Sequence, residues 1–262
     1  MLDQLEQIDR PDNSLDLKYV RKVFFVALNS GKTLMENGAE TYRVEDTMFR
    51  IATHYGISNV QVFVTTTVII LSMNDYGLSQ QVRIDVRNNN LEKVVNINDM
   101  SRRIVAGLSI HDAIYELKKI NDSKIFPFWL MVLFGGVAGM MFMMMFKGSV
   151  SDLPVTFIAA SMGVFITEWI QRYTSIKFFT EVLAAFMIAL IAGIYVKLGF
   201  GTNVDLIIIA AVMPLVPGVP ITNALREIIR GHFLAGTMKG VEAGLTAVAI
   251  GAGVGIVFVL GG

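Results

Sequence analysis

The sequence contains no cysteine among its 262 residues and only three histidines. The lack of cysteine excludes disulfide bonds and thiolate chemistry. His54, His111 and His232 do not have the spacing of metal ligands, and the sequence has no His-Glu-x-x-His pair, Gly-x-Ser-x-Gly elbow or Walker loop. We therefore predict no catalytic residue, no metal site and no cofactor.

Charged residues are scarce in one part of the chain. Residues 1–124 hold 15 of the 22 Lys and Arg and 16 of the 22 Asp and Glu. Residues 125–262 contain apolar stretches instead, at 126–146, 153–171, 178–198, 204–223 and 238–260. About 20 apolar residues are needed to cross a hydrocarbon layer of about 30 Å, and in lipid they must form helices. The sequence predicts an N-terminal domain at 1–124 and an α-helical integral membrane domain of five transmembrane helices at 125–262.

The basic residues beside these stretches predict an orientation. Positive charge is enriched in cytoplasmic loops. The ends that would face one side carry Lys118, Lys119, Lys124, Arg172, Lys177, Arg226, Arg230 and Lys239, whereas the other side has only Lys147 and Lys197. We expect a multi-pass protein of the cell membrane with a cytoplasmic N-terminal domain and its C-terminus outside.

The N-terminal domain has the pattern of an α+β fold. Two helices are predicted at 17–35 and 39–55, and they end at Asn37-Gly38 and Gly56. Val-, Ile- and Thr-rich segments follow on either side of a turn at 74–77, and they predict a hairpin or small sheet. Two further helices are predicted near 99–106 and 110–120, the second capped by Ser109.

The fourth apolar stretch contains three prolines within seven residues. Each proline lacks a backbone donor, so the span is predicted to be broken near its middle. The second half would begin within 220–223 and present backbone N–H groups to a carboxylate, as discontinuous transporter helices do. A proline kink or a re-entrant segment is the structural alternative. The predicted substrate-binding residues are Pro214, Pro217, Gly218, Pro220, Thr222 and Asn223, with Thr222 or Asn223 as the helix cap.

Acidic residues lie within or near the predicted spans, with Glu168, Glu181 and Glu242 near cytoplasmic ends and Asp205 near the outer end of the fourth. Ionisable groups are costly in a membrane and usually mark a pathway or a partner. Glu242 lies on a glycine-rich span, and we predict that it carries a coupling proton or ion together with Glu168 and Glu181. For Glu168 and Glu181 the alternative is equally strong: both would be interfacial residues that pair with Arg172 and Lys177.

A polar motif opens the second predicted helix. Residues 38–48 read GAETYRVEDTM. Acidic residues near a helix N-terminus favour its dipole, and Asp46 with Arg50 is an i,i+4 pair, so a structural role explains part of the motif. The candidate functional residues are Glu40, Tyr42, Arg43, Glu45 and Asp46.

This motif, the Val/Thr-rich segment after it and Pro214-x-x-Pro217-Gly218 together resemble the threonine/serine exporter family. Full-length members join a cytoplasmic domain to ten spans, so the chain resembles the shorter, split form with five. The resemblance implies a separate membrane subunit of about four spans, or a homo-oligomer, as partner. It also implies threonine and serine, or a dicarboxylate such as succinate, as substrate.

The sequence thus predicts a secondary transporter that exports a small carboxylate-bearing metabolite. An ion or proton gradient is the expected driving force, because no nucleotide-binding loop is present. A membrane-tethered hydrolase that uses the motif and a scaffold or sensor that transports nothing are the alternatives. No nucleic acid is expected as partner.

Overall fold

The computed structural model describes residues 15–85, 89–123, 126–173 and 177–261. The chain forms two compact units. The first comprises Met1–Lys124 and Thr222–Lys239, and the second comprises Ile125–Ile221 and Gly240–Gly262. Residues 222–239, which lie between the last two apolar stretches, therefore pack with the N-terminal part of the chain.

The first unit is an α+β fold. Its helices are α1 (Leu17–Glu36), α2 (Thr41–His54), α3 (Leu91–Val105) and α4 (Ile110–Asp122), and its strands are β1 (Val60–Val64), β2 (Val68–Met73) and β3 (Leu78–Arg83). The strands form an antiparallel sheet in the order β1-β2-β3. Buried aliphatic side chains from the helices and the sheet, such as Leu34, Ile51, Leu71 and Ile97, share one hydrophobic core.

The local sequence signals of this unit are present in the structure. Gly38 has φ 91°, and Ala39 N–H donates to Leu34 O at 3.0 Å, so a left-handed glycine ends α1 as predicted. Ser109 caps α4 by accepting from Asp112 N–H at 3.2 Å. The prediction for α3 was too short, because this helix begins at Leu91, where Asn90 accepts a hydrogen bond from Lys93 N–H.

The described residues of the second unit form helices joined by short loops, and no strand. The unit contains α5 (Phe128–Met145), α6 (Leu153–Tyr173), α7 (Lys177–Lys197) and α8 (Val204–Val212), followed by a short 3-10 helix (Met213–Leu215). The first turn of α9 (Gly218–Ile229) and most of α10 (Phe233–Gly261) also belong to it. Alanines at the helix contacts, among them Ala159, Ala185, Ala189 and Ala210, are fully buried and allow close packing.

Among the described residues, four helices are long and apolar enough to cross a membrane, and a fifth span exists if the bent pair Val204–Leu215 and Gly218–Ile229 counts as one. Each member of the pair has 12 residues, or roughly 18 Å of helix. The two members meet at a bend of 61°, as in a broken span or a re-entrant loop. The chain is therefore a multi-pass membrane protein.

A buried acid joins two loops of the second unit. Asp152 is fully buried before α6. Its carboxylate accepts hydrogen bonds from Thr202 N–H at 3.1 Å and from Thr202 Oγ1 at 2.6 Å. Tyr195 Oη donates to Ser151 O at 3.1 Å nearby. The loop after α7 is thus fixed to the start of α6.

Gly253 provides a test of helix packing in this unit. A Cβ atom at Gly253 would lie 2.3 Å from Val182 O on α7, whereas one at Gly251 would meet no atom within 4 Å. We expect Gly253→Ala to destabilise the protein by about 1–3 kcal/mol, because backbone must move to admit the methyl group. Thermal unfolding in detergent measures the effect. The control Gly251→Ala should unfold near the wild-type temperature, and equal midpoints for both variants would contradict this packing.

Candidate functional site

The predicted interruption of the fourth apolar stretch is present. The 3-10 helix that contains Pro214 ends at Val216, which has an extended backbone (φ −63°, ψ 130°). Val216 N–H donates to Met213 O at 3.2 Å, and Gly218 N–H donates to Val216 O at 2.8 Å. The regular helical hydrogen bonds are therefore lost around Pro217 and resume in α9, where Ile221 N–H donates to Pro217 O at 3.1 Å.

The predicted start of the second half-helix was wrong. Helix α9 begins at Gly218, so Thr222 and Asn223 lie inside it and neither caps it. Pro220 occupies the first turn, where a missing N–H is tolerated because no intrahelical acceptor is available. Asn223 instead donates from Nδ2 to Gly38 O at 2.9 Å.

The three predicted coupling acids lie on three different helices. Glu168 is half-buried on α6, Glu181 is 5% exposed on α7, and Glu242 is partly buried on α10. Their role in coupling stays a prediction.

The structure brings the motif of residues 38–46 together with residues that the sequence did not single out. Glu227, on α9, is fully buried. Its Oε1 accepts from Thr41 N–H at 2.5 Å and its Oε2 from Thr41 Oγ1 at 2.5 Å. Lys239, on α10, donates to the same Oε1 at 2.9 Å and to Ala39 O at 3.2 Å. We call Gly38, Ala39, Thr41, Glu227 and Lys239 the clamp.

The clamp satisfies two electrostatic needs at once. Thr41 is the first residue of α2, so its N–H has no acceptor within that helix and lies at the positive end of the helix dipole. The Glu227 carboxylate fills this position from a distant part of the chain. Lys239 neutralises the buried charge, which would otherwise destabilise the fold strongly.

The side chains of the motif extend the contact around the clamp. Glu40 accepts from Arg226 at 2.9 Å and forms an ion pair with Arg43 at 3.4 Å. The Arg230 guanidinium lies 3.9 Å from the centre of the Tyr42 ring, within the range of a cation–π interaction. Asp46 pairs with Arg50 at the surface, as predicted.

Close packing supports the helix pair that supplies Glu227 and Lys239. Gly231 has φ 88° in the connection between α9 and α10, and His232 N–H donates to Glu227 O at 2.9 Å. A Cβ atom at Gly236 would lie 2.9 Å from Ala224 O and 3.0 Å from Ile228 N. Residues 222–239, which we call the hairpin, thus approach one another backbone to backbone.

Glu40 and Glu45 have opposite pKa shifts. Burial opposes ionisation of Glu40, but the hydrogen bond from Arg226 and the charges of Arg43 and Arg226 outweigh it and lower its pKa. Burial raises the pKa of Glu45, although the hydrogen bond from Val64 N–H at 2.9 Å acts in the other direction. His232 also favours the charged form of Glu45, and Glu227 opposes it.

Glu45 also lines an open depression of about 750 Å³ in the first unit, bordered by Tyr42, Phe49, Phe63 and His232. Within the described ranges, no group of three or more His, Asp or Glu side chains is arranged to hold a metal ion.

Glu227 was not predicted as a functional residue, because it lies outside the predicted spans. Arg226, Arg230 and Lys239 were predicted only as the positive charges that set the orientation. Two basic residues and one acid at 226–230, directly after an apolar stretch, are the signal that was available.

A charge swap tests the clamp. We expect Glu227→Gln to destabilise the protein by about 3–5 kcal/mol, because it leaves Lys239 buried without its counter-charge. The double variant Glu227→Lys with Lys239→Glu should not recover stability, since a lysine at 227 cannot accept from Thr41 N–H and places a cation at the helix N-terminus. Thermal unfolding in detergent measures both.

The partly exposed pair Lys32 and Glu36, joined at 3.7 Å, is the control for this swap. Exchanging its charges should change stability by less than about 1 kcal/mol. Full recovery in the 227/239 swap would show that the clamp is only an ion pair.

The two shifted carboxyls predict opposite pH dependences. The raised pKa of Glu45 means that its contribution to stability is present below its ordinary pKa of 4.5 and is lost as pH rises through the raised value. The lowered pKa of Glu40 means that its contribution is present above 4.5 and is lost as pH falls through the lowered value. As pH rises from 3 to 7, the stability of Glu45→Gln relative to wild type should increase, and that of Glu40→Gln should decrease, mainly near and below pH 4.5. Unfolding midpoints across this range measure the slopes, and parallel slopes would contradict both assignments.

Comparisons with known proteins agree with this architecture. The ThrE family model, described as "Putative threonine/serine exporter", matches residues 26–261. The chain is 23% identical over 241 residues to the "Probable succinate transporter subunit YjjP" of Klebsiella aerogenes, covering 89% of this chain and 92% of that protein. It is 25% identical over 241 residues to the protein of the same name from Escherichia coli K12, covering 89% and 93%. No solved structure matches. The chain belongs to the threonine/serine exporter family.

Proposed function

We propose that the chain is one subunit of a secondary transporter that exports a small dicarboxylate of the succinate class. The observation that carries the proposal is the interrupted helix at Pro214–Gly218 in a chain of this exporter family. Two relatives that match over nearly their whole length are named succinate transporter subunits, which favours a dicarboxylate over threonine or serine.

The substrate would bind beside the interruption. The positive end of the α9 dipole favours a carboxylate at this position. Pro217 cannot donate a hydrogen bond, which keeps the backbone of this position from joining a continuous helix. Of the predicted binding residues, Pro214, Pro217, Gly218 and Pro220 remain part of this proposal. Asn223 is engaged with Gly38, so it supports the hairpin rather than the substrate.

The orientation is also part of the proposal. The N-terminal unit would face the cytoplasm and the C-terminus the outside, since most basic residues flank the ends on the proposed cytoplasmic side. At one such end of α6, the Phe165 and Trp169 rings stack and the Tyr173 ring meets Trp169 edge to face. The Arg172 guanidinium lies 4.6 Å from the centre of the Phe128 ring. Aromatic and basic side chains gather in this way at membrane–water interfaces.

A small membrane subunit of about four spans is the proposed partner, as the family resemblance implies and as the word "subunit" in the relatives' names supports. Coupling to an ion or proton gradient through Glu242, Glu168 or Glu181 completes the proposal. Alternating access would then move the substrate from the cytoplasm outward.

Efflux from preloaded vesicles tests this function. With the small partner co-expressed, we expect labelled succinate to leave faster than threonine or serine and to stop when the gradients are collapsed. Pro217→Ala should lower the rate by about tenfold or more. A proline makes a continuous helix less favourable by roughly 3 kcal/mol, so its removal favours a continuous helix over the interruption where the substrate would bind.

Pro154→Ala is the matched control, since Pro154 is exposed in the first turn of α6 and lies away from the interruption. Preferential efflux of threonine and serine would reassign the substrate. A wild-type complex that moves none of the three would contradict the proposed function.

A further inference from the structure

Helix α9 carries two features that bear on transport. Its first residue, Gly218, directly follows the interruption at Pro217. Its last turns carry Asn223, Arg226 and Glu227, which bond to residues 38–41. One short helix therefore connects the proposed substrate site to the clamp.

The clamp is built as a fixed contact. Glu227 is fully buried, the side chain of Lys239 is 13% exposed and that of Glu40 is 6% exposed. Both oxygens of Glu227 are used, and the hairpin has no room for a Cβ atom at Gly236. Opening this contact would leave a buried carboxylate without its donors, which is strongly unfavourable.

Stability alone does not explain a buried ion pair at this place. Well-packed apolar side chains of similar volume often stabilise a fold as well as a buried pair or better. A carboxylate also fixes how α9 is aligned with the Gly38–Thr41 turn, because its two oxygens must meet the N–H and the hydroxyl of one residue, Thr41. The contact thus fixes the position of α9 along the Gly38–Thr41 turn.

We propose that Glu227 is a positioning residue of the exporter. It makes the hairpin a rigid part of the N-terminal unit, so that a movement of this unit is carried along α9 to the residues that follow Pro217. This role rests on the proposed function. Glu227 does not touch the substrate, and its loss should lower the rate of transport while the affinity for substrate is kept.

A covalent replacement of the contact tests the proposal. The natural chain has no cysteine, so Thr41→Cys with Glu227→Cys introduces the only two thiols. In the reduced form we expect the maximal efflux of succinate to fall roughly two- to thirtyfold, the range expected of a coupling residue outside a ligand site. The apparent affinity should stay near the wild-type value. Joining the thiols with a short bis-methanethiosulfonate reagent should restore the rate.

Controls separate loss of the Thr41–Glu227 contact from other causes of a lower transport rate. Each single cysteine variant, treated with the same reagent, shows the effect of modification without a cross-link. Glu92→Gln removes an exposed acid in the first turn of α3 and should transport like wild type. The extent of cross-linking, measured by mass spectrometry, reports whether residues 41 and 227 are neighbours, independently of transport.

Wild-type rates in the reduced double variant would overturn the role of Glu227. A fully cross-linked protein that unfolds at the wild-type temperature and still stays inactive would also overturn it, because the contact would then have to open during transport. If the wild-type complex itself exports no succinate, threonine or serine, the proposed function fails, and this role fails with it. That case is recognised from the wild type alone, whereas failure of the present proposal appears only in the variants.

Discussion

The structure of the N-terminal unit depends on one buried carboxylate. Glu227 completes the N-terminus of α2 from 186 residues away in sequence. A helix N-terminus needs acceptors for its free N–H groups, and a buried acid needs donors and a counter-charge. Thr41, Glu227 and Lys239 meet all three needs together. This mutual dependence explains why residues 222–239 belong with the N-terminal part of the chain rather than with the apolar helices that flank them.

The same helix that supplies Glu227 begins at the interruption of the fourth span. The N-terminus of a helix that begins at such an interruption is the positive end of its dipole, and it attracts a carboxylate. The family and the names of the relatives agree with the export of such a substrate. In the proposed exporter, α9 therefore begins directly after Pro217, where the substrate would bind, and carries Glu227 of the clamp near its other end.

Features that depend on neighbouring residues were predictable from the sequence. Helices α1 and α2, the glycine that ends α1, the Ser109 cap and the apolar spans follow from periodicity, local capping and length. The proline interruption was also predictable, because proline acts on its own turn. The start of α9 was misplaced since Thr222 and Asn223 have the chemistry of caps, yet the helix already resumes at Gly218. The clamp could not be foreseen, because nothing local to Glu227 indicates that its partner is Thr41.

Hydrogen–deuterium exchange of the protein in lipid nanodiscs tests the central claim most directly. If Glu227 makes the hairpin part of the N-terminal unit, the amides at the start of α2 and those of residues 222–239 should both exchange slowly in the wild type. In Glu227→Gln, protection should fall in both segments together, while α3 and α4 keep theirs. Unchanged protection of α2 when the hairpin becomes exposed would contradict the account, because it would show that the two segments are ordered independently.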